Sequence, residues 1–366
     1  MTERERLLTL LSGGTPDQVP WYGDLTYWLP SALQNGLIDA RYAGDGLFDL
    51  HRDLGVGYYL QGYMPFHERR DDSVKVATER NGNETLTTYT TPAGILTQLD
   101  VYLPESYSSA IKKHLVTTLD EFQTYVYILN HTSFEPDYER AVRRYDLIGD
   151  NGVVLCYLPR SPYMNLCAVQ SGIGHIVDMM IEDDERFESL LAETAARWAE
   201  AAEIAVNAPA ECLMLPENIS SEVVGKGPYN RFMREWHVKW YRRIREAGKT
   251  SFVHLDGTMR GLITELSDAG ARVIEALTPG PVGDLPIESL HEYVRDDTIL
   301  WGGIPGLYFT DLVSDTQFDE HVKRVLHTMT QSPRYVLGVA DQVPPGCRIE
   351  RIARVRVLVD EYGRYR

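Results

Sequence analysis

Basic residues are few beside acidic ones: 36 Lys and Arg stand against 53 Asp and Glu in 366 residues, a formal net charge of −17. Such a balance leaves no broad basic face, which argues against nucleic acid or an anionic membrane as the main partner. Cysteine is scarcer still. The four cysteines (Cys156, Cys167, Cys212, Cys347) form no CxxC pair and no framework spacing, so a disulfide scaffold is excluded and a reduced cytoplasm fits. No apolar run approaches the ~20 residues that span a bilayer. The opening MTERERLLTLLSGG carries four charges at residues 3–6 and lacks the apolar core and cleavage site of a signal peptide. Also missing are a P-loop, a GxGxxG that opens a helix after a strand, GxSxG and HExxH. These absences point to a soluble, cytoplasmic protein outside the common nucleotide-binding, hydrolase and metalloprotease motifs.

What is present is a regular alternation of strand and helix signals. Thr2 opens a capping box with Glu5, and Leu7, Leu8 and Leu11 give a helical stripe ended by Gly13-Gly14. Short apolar runs at 19–22 and 56–60 read as the first two strands. Polar/apolar alternation at 73–79 and 84–91 flanks Asn81-Gly82, a strong hairpin signal, and a third alternating run spans 97–102. Residues 61–115 therefore read as a β-rich excursion after the second strand. Six further strands are expected at 153–157, 212–215, 251–254, 273–277, 299–302 and 335–339. Amphipathic helices intervene, the clearest at 184–207 and at 229–247, where Phe232, Trp236 and Trp240 recur at spacing four. Eight strands alternating with helices predict an α/β fold, a (β/α)8 TIM barrel formed by one domain over 1–366.

In such barrels reactive groups gather at the C-terminal ends of strands. Those ends here are rich in ionisable groups: Glu217-Asn218, His254 and Asp256, Glu275, and Asp341. His254 and Asp256 are two apart, so in an extended segment they face the same way. They suit a divalent ion such as zinc, with Glu217, Glu275 or Asp341 completing the set. The alternative is a core histidine beside an Asp256 that caps the amides of Gly257–Met259. Glu217 and Glu275 read equally as acceptors for loop amides or as a general acid and base. Asp284, just before Pro286, reads as the cap of the following helix. Arg160 and Arg260 are the candidates to hold a substrate carboxylate, or else solvated ion pairs. Trp21, Tyr22, Tyr27, Trp28, Tyr58, Tyr59 and Tyr63 cluster near the first two strand ends, as an aromatic pocket or as core. The candidate substrate-binding set is Trp21, Tyr22, Tyr59, Arg160, Tyr163 and Asn218.

The stretches Glu3–Leu8 and Pro16–Pro20, GKTSFVHLDG at 248–257, 269–279 with Gly283-Asp284-Leu285, Leu300–Ile304 and 338–345 together resemble the uroporphyrinogen decarboxylase superfamily. That superfamily also contains zinc- and corrinoid-dependent methyltransferases. The decarboxylases carry an arginine-rich N-terminal segment where this chain has Trp21-Tyr22-Gly23-Asp24-Leu25, and their late His is replaced within Gly338-Val339-Ala340-Asp341. The zinc methyltransferases use His-x-Cys and a later Cys. Here His254 matches, Asp256 stands in place of the first Cys, and neither Val339 nor Ala340 supplies the second, with Cys347 several residues downstream. The resemblance implies a methyltransferase-like enzyme with His254, Asp256, Glu217 and Asp341 as oxygen-rich zinc ligands, harder than thiolates. It would move a methyl group, as in O-demethylation, from a small methylated substrate to a corrinoid protein, with Glu217, His254, Glu275 and Asp341 catalytic. The second expectation is a cofactor-free decarboxylase or related lyase acting on a small carboxylic acid.

Overall fold

The strands form because their residues are apolar on both faces, the requirement of a sheet covered inside and out. In the computed structural model, which describes residues 1–59 and 63–365, eight parallel strands follow one another around a ring. They are β1 (Trp21–Tyr22), β2 (Tyr58–Tyr59), β3 (Gly152–Val153 continued by Leu155–Tyr157), β4 (Cys212–Ile219), β5 (Thr250–Leu255), β6 (Val273–Leu277), β7 (Ile299–Pro305) and β8 (Tyr335–Ala340). Each pairs with the next, β8 returns to β1, and a bridge between Tyr22 and Gly57 joins β1 to β2. The expected (β/α)8 barrel is thus the observed fold. The predicted second strand runs to residue 60, which lies outside the described residues.

The ring is filled by side chains. Inward positions of four strands carry Tyr22, Tyr59, Phe252 and Trp301, and Trp301 sits at the centre with its ring 5.1, 4.8 and 5.5 Å from those of Tyr22, Tyr59 and Phe252. Two glycines make room for this layer. A Cβ on Gly57 would fall 2.6 Å from the Tyr22 ring, and one on Gly338 would fall 2.7 Å from the Trp301 indole. Gly338→Ala is therefore expected to cost about 1–3 kcal/mol through overpacking, read as a lower urea midpoint. An unchanged midpoint would show that the indole shifts freely.

The N-terminal helix Glu3–Leu11 has the expected capping box of Thr2 and Glu5. Its buried stripe is Glu3, Leu7 and Leu10 rather than Leu7, Leu8 and Leu11, because i, i+4, i+7 is the helical face turned inward. The Tyr22 hydroxyl donates to the Glu3 carbonyl, and the Glu3 carboxylate accepts from Arg6 and Arg356.

The chain falls into two compact units. The barrel belongs to the unit of Met1–Tyr63, Glu139–Tyr157 and Pro209–Arg366. The other comprises Met64–Tyr138 and Leu158–Ala208. It holds an antiparallel sheet of Lys75–Asn81, Glu84–Thr91, Gly94–Leu103 and Ser108–Lys113, with Gly82 at φ +57° in the first tight turn. Phe66–Arg70 pairs with Thr132–Pro136 in the same unit. The helix read at 184–207 is the second half of Ile173–Val206, which breaks at Asp183 (φ −158°, ψ 95°). The Asp183 carboxylate accepts from the Arg186 amide and so starts the second half. No helix of the described residues is long and apolar enough to cross a membrane.

Candidate active site at the barrel mouth

Alternation along β5 places His254 on the same inward face as Phe252, one layer nearer the C-terminal ends of the strands. On β6 the residue in register with His254 is Glu275. This pairing brings His254 Nδ1 to 2.7 Å from Glu275 Oε2, and the second oxygen of Glu275 accepts the Tyr59 hydroxyl at 2.8 Å. Glu275 is completely buried, so both bonds offset the desolvation of its charge. With Nδ1–H donated to Glu275, the nitrogen left facing outward is Nε2, which lies 3.6 Å from Asp341 Oδ1.

Asp341 follows the end of β8 with φ +65°, and Asn218 and Ala276 at the ends of β4 and β6 have φ +53° and +68°. Non-glycine residues pay on the order of 1–3 kcal/mol each for that conformation, and such strain gathers at functional sites. Here it turns the chain at three strand ends of one mouth. Beside them lies a cleft of about 510 Å³ lined by Tyr27, Ser220, Glu222, Asp256, Thr258, Asp341 and Gln342 among others. Its lining includes three carboxylates and, among the described residues, no Lys or Arg.

The electrostatics follow from this crowding. Burial pulls the His254 imidazole down, but the Glu275 carboxylate, its hydrogen bond, and then Asp341 and Asp256 raise it to about 9. His254 is accordingly a cation at neutral pH, held between two acids. Burial pushes the Asp341 carboxyl up, opposed by the His254 charge and aided by Asp256, Glu275 and Asp24, to about 6. Solvent reaches 46% of its side chain, so it also exchanges protons with water. Asp24 is raised too, by burial, against hydrogen bonds from Thr26 and Gln342.

A histidine raised in this way stabilises the fold below its unfolded pKa of ~6.5, and the contribution fades as pH rises through the folded value. We therefore expect the His254 ring carbon–proton signal to titrate near pH 9 in NMR spectra. Titration near the ordinary 6.5 would mean that the clamp does not hold.

The structure distributes the sequence candidates as follows. His254, Glu275, Asp341 and Tyr59 converge, and Asp256 lines the cleft beside Asp341. Glu217 is fully buried with its Oε1 3.0 Å from His237 Nε2, and His237 Nδ1 lies 3.2 Å from the Tyr229 hydroxyl. Asn218 is exposed at the end of β4. Trp21 and Tyr22 are completely buried within the barrel unit. Arg160 and Tyr163 belong to the other compact unit, where Tyr163 is buried in the turn Pro162–Asn165. Among the described residues, no three His, Cys, Asp or Glu side chains are grouped so as to hold a metal ion. All four cysteines are buried.

Asp284 departs from expectation. Its carboxylate accepts from the Met259 and Arg260 amides at 2.8 and 3.0 Å, capping the turn after β5 rather than the helix after Pro286. The Met259 amide is thereby taken by Asp284, not Asp256, and the Arg260 guanidinium donates to the Asp284 carbonyl. The loop between β6 and β7 returns across the end of β5, a contact that local spacing does not encode.

Sequence reasoning missed two groups. Asp24 closes β1 and holds Gln342 at 2.8 Å; the strand-end rule that selected Glu217 would have found it. His237 follows the Trp236 and Trp240 stripe one residue on, and its partner on β4 was not legible from the helix alone.

An eight-stranded parallel barrel with a histidine–carboxylate pair at the C-terminal ends of its strands has its ionisable groups where enzymes of this fold carry their active sites. The family model described as uroporphyrinogen decarboxylase (URO-D) matches residues 101–362. The chain belongs to the uroporphyrinogen decarboxylase family. Among solved structures it is similar to a methyltransferase from Methanosarcina mazei, with a TM-score of 0.63 and 13% identity over 99% of each chain. That likeness concerns the fold. No curated protein matches the chain.

Proposed function

We propose that this protein is a methyltransferase-like enzyme that removes a methyl group from a small methylated substrate bound in the cleft at the barrel mouth. A corrinoid protein is the methyl-accepting partner that the family resemblance implies, and O-demethylation is the reaction that best fits an acid at this position. The observation that carries the reading is the clamp: His254 Nε2 faces outward beside Asp341, backed by Glu275 and Tyr59. Breaking a methyl–oxygen bond leaves negative charge on oxygen, and a cationic imidazole at that point neutralises it. The M. mazei protein of the same fold is a methyltransferase, which agrees with this choice.

Among the described residues, the zinc-assisted form finds two side-chain donors at this place, His254 and Asp341, and lacks the remainder of a zinc set. The residues present do not fit the ion.

The cofactor-free decarboxylase reading draws on the same proton donor, which would protonate a carbanion. Against it stands a cleft whose described lining holds three carboxylates and no Lys or Arg, a poor seat for an acid. The experiment is to incubate the protein with ¹³C-methyl-labelled methoxy and methylamino compounds and a reduced corrinoid protein. We expect label to leave the substrate and appear on the acceptor. Release of carbon dioxide from small acids, with no methyl loss from any methylated compound, would reverse the order of the two readings.

A further inference from the structure

Resting on the methyl-transfer reading, we propose that this barrel mouth does not use a bound metal and that the group facing the leaving oxygen is the His254 imidazole, through Nε2. The resemblance implies zinc at His254, and here one electrophile replaces another within the same architecture.

The donor chemistry leads to it. Of the two ring nitrogens of His254, Nδ1 is committed to Glu275 at 2.7 Å, and Nε2 meets one carboxylate, Asp341, at 3.6 Å. Glu217, the carboxylate expected to add a third donor, is completely buried with its Oε1 held by His237. The position two residues after His254 is Asp256 rather than a thiolate, and the strand end after β8 supplies Asp341 rather than a cysteine. Cys156 and Cys212 are fully buried in β3 and β4, and Cys347 is 2% exposed. A zinc centre needs four donors with at most one open position, and its histidines must be neutral. Among the described residues, no third His, Cys, Asp or Glu side chain groups with His254 Nε2 and Asp341 to make up that set.

The step balances without a metal. The bond from the methyl carbon to its oxygen breaks, and the electron pair leaves on oxygen. The methyl carbon bonds to a nucleophilic acceptor that supplies its own pair. The Nε2 proton passes to the oxygen, giving a hydroxyl, while His254 becomes neutral with its Nδ1–H still donated to Glu275. Asp341, 3.6 Å away and partly exposed, relays a proton from solvent back to Nε2.

The test is calorimetric titration of the chelator-treated full chain with Zn²⁺, repeated with Co²⁺ by visible absorbance, on the wild type, His254→Ala and Asp341→Asn. The quantity read is the metal bound by the wild type minus that bound by each variant. We expect zero for both metals, with a thermal midpoint unchanged by zinc. One ion per chain that disappears in either variant overturns the proposal. Asp341→Asn alters a partly exposed residue and keeps the test valid if His254→Ala fails to fold. The labelled-methyl assay separates the two claims. His254-dependent zinc uptake with methyl transfer intact removes this inference alone. Carbon dioxide release in place of methyl transfer removes the proposed function and leaves the zinc result standing.

Discussion

Replacing Glu275 with alanine is expected to destabilise the fold by about 3–5 kcal/mol at pH 7, the usual cost of removing one partner from a buried ion pair. Glu275 is wholly buried and accepts two hydrogen bonds, from His254 and from Tyr59. Its loss strands a buried imidazole and a buried hydroxyl together, and the imidazole responds by releasing its proton. The sign of the pH dependence follows. In the wild type the His254 contribution is complete below about 6.5 and is lost as pH rises through about 9. The stability gap between wild type and Glu275→Ala should therefore be widest near pH 6–7 and shrink above pH 9. Glu275→Gln keeps an acceptor for Tyr59 without the charge, so it should cost less while moving the His254 titration back toward the ordinary imidazole range. Urea denaturation across pH, with NMR of the histidine rings, reads both effects. A gap that does not change with pH would mean that the carboxylate acts by packing alone.

The second large effect is catalytic. His254→Gln should lower turnover by roughly 10²–10⁴-fold, the span attributed to a positioned proton donor. Glutamine still donates a hydrogen bond to Glu275, so the fold should persist, and the loss should fall on kcat more than on KM. In the wild type, kcat/KM should decline as pH rises through about 9, when His254 surrenders its proton. A substrate whose leaving group is already neutral or strongly acidic should lose much less in the variant, since it needs no proton. If poor and good leaving groups lose turnover equally, His254 binds substrate rather than protonating it.

Much of the barrel was legible because each strand announces itself locally. The runs 212–215 and 335–339 are apolar throughout, and 273–277 is apolar but for Glu275, which suits a strand covered on both faces. The capping box of Thr2 and Glu5 and the hairpin at Asn81-Gly82 rest on bonds spanning two or three residues, so spacing is sufficient to find them. The first helix was read with the wrong inner stripe because a polar Glu3 is buried there, paired to Arg6 and Arg356. A partner that far along the chain leaves no trace in a local periodicity.

The chemistry of the mouth divides in the same way. From the sequence alone came the list of groups at strand ends, His254, Glu217, Glu275 and Asp341, since strand order and direction put them at one end of a barrel. Only the tertiary structure decided the pairings. Glu275 joins His254 because β5 and β6 meet in that register, Asp341 joins because a left-handed residue turns the chain after β8, and Glu217 goes to His237 on a helix. Registers and turns of this kind depend on atoms contributed by strands distant along the chain, which is why a list of acids could be read in advance and their partners could not.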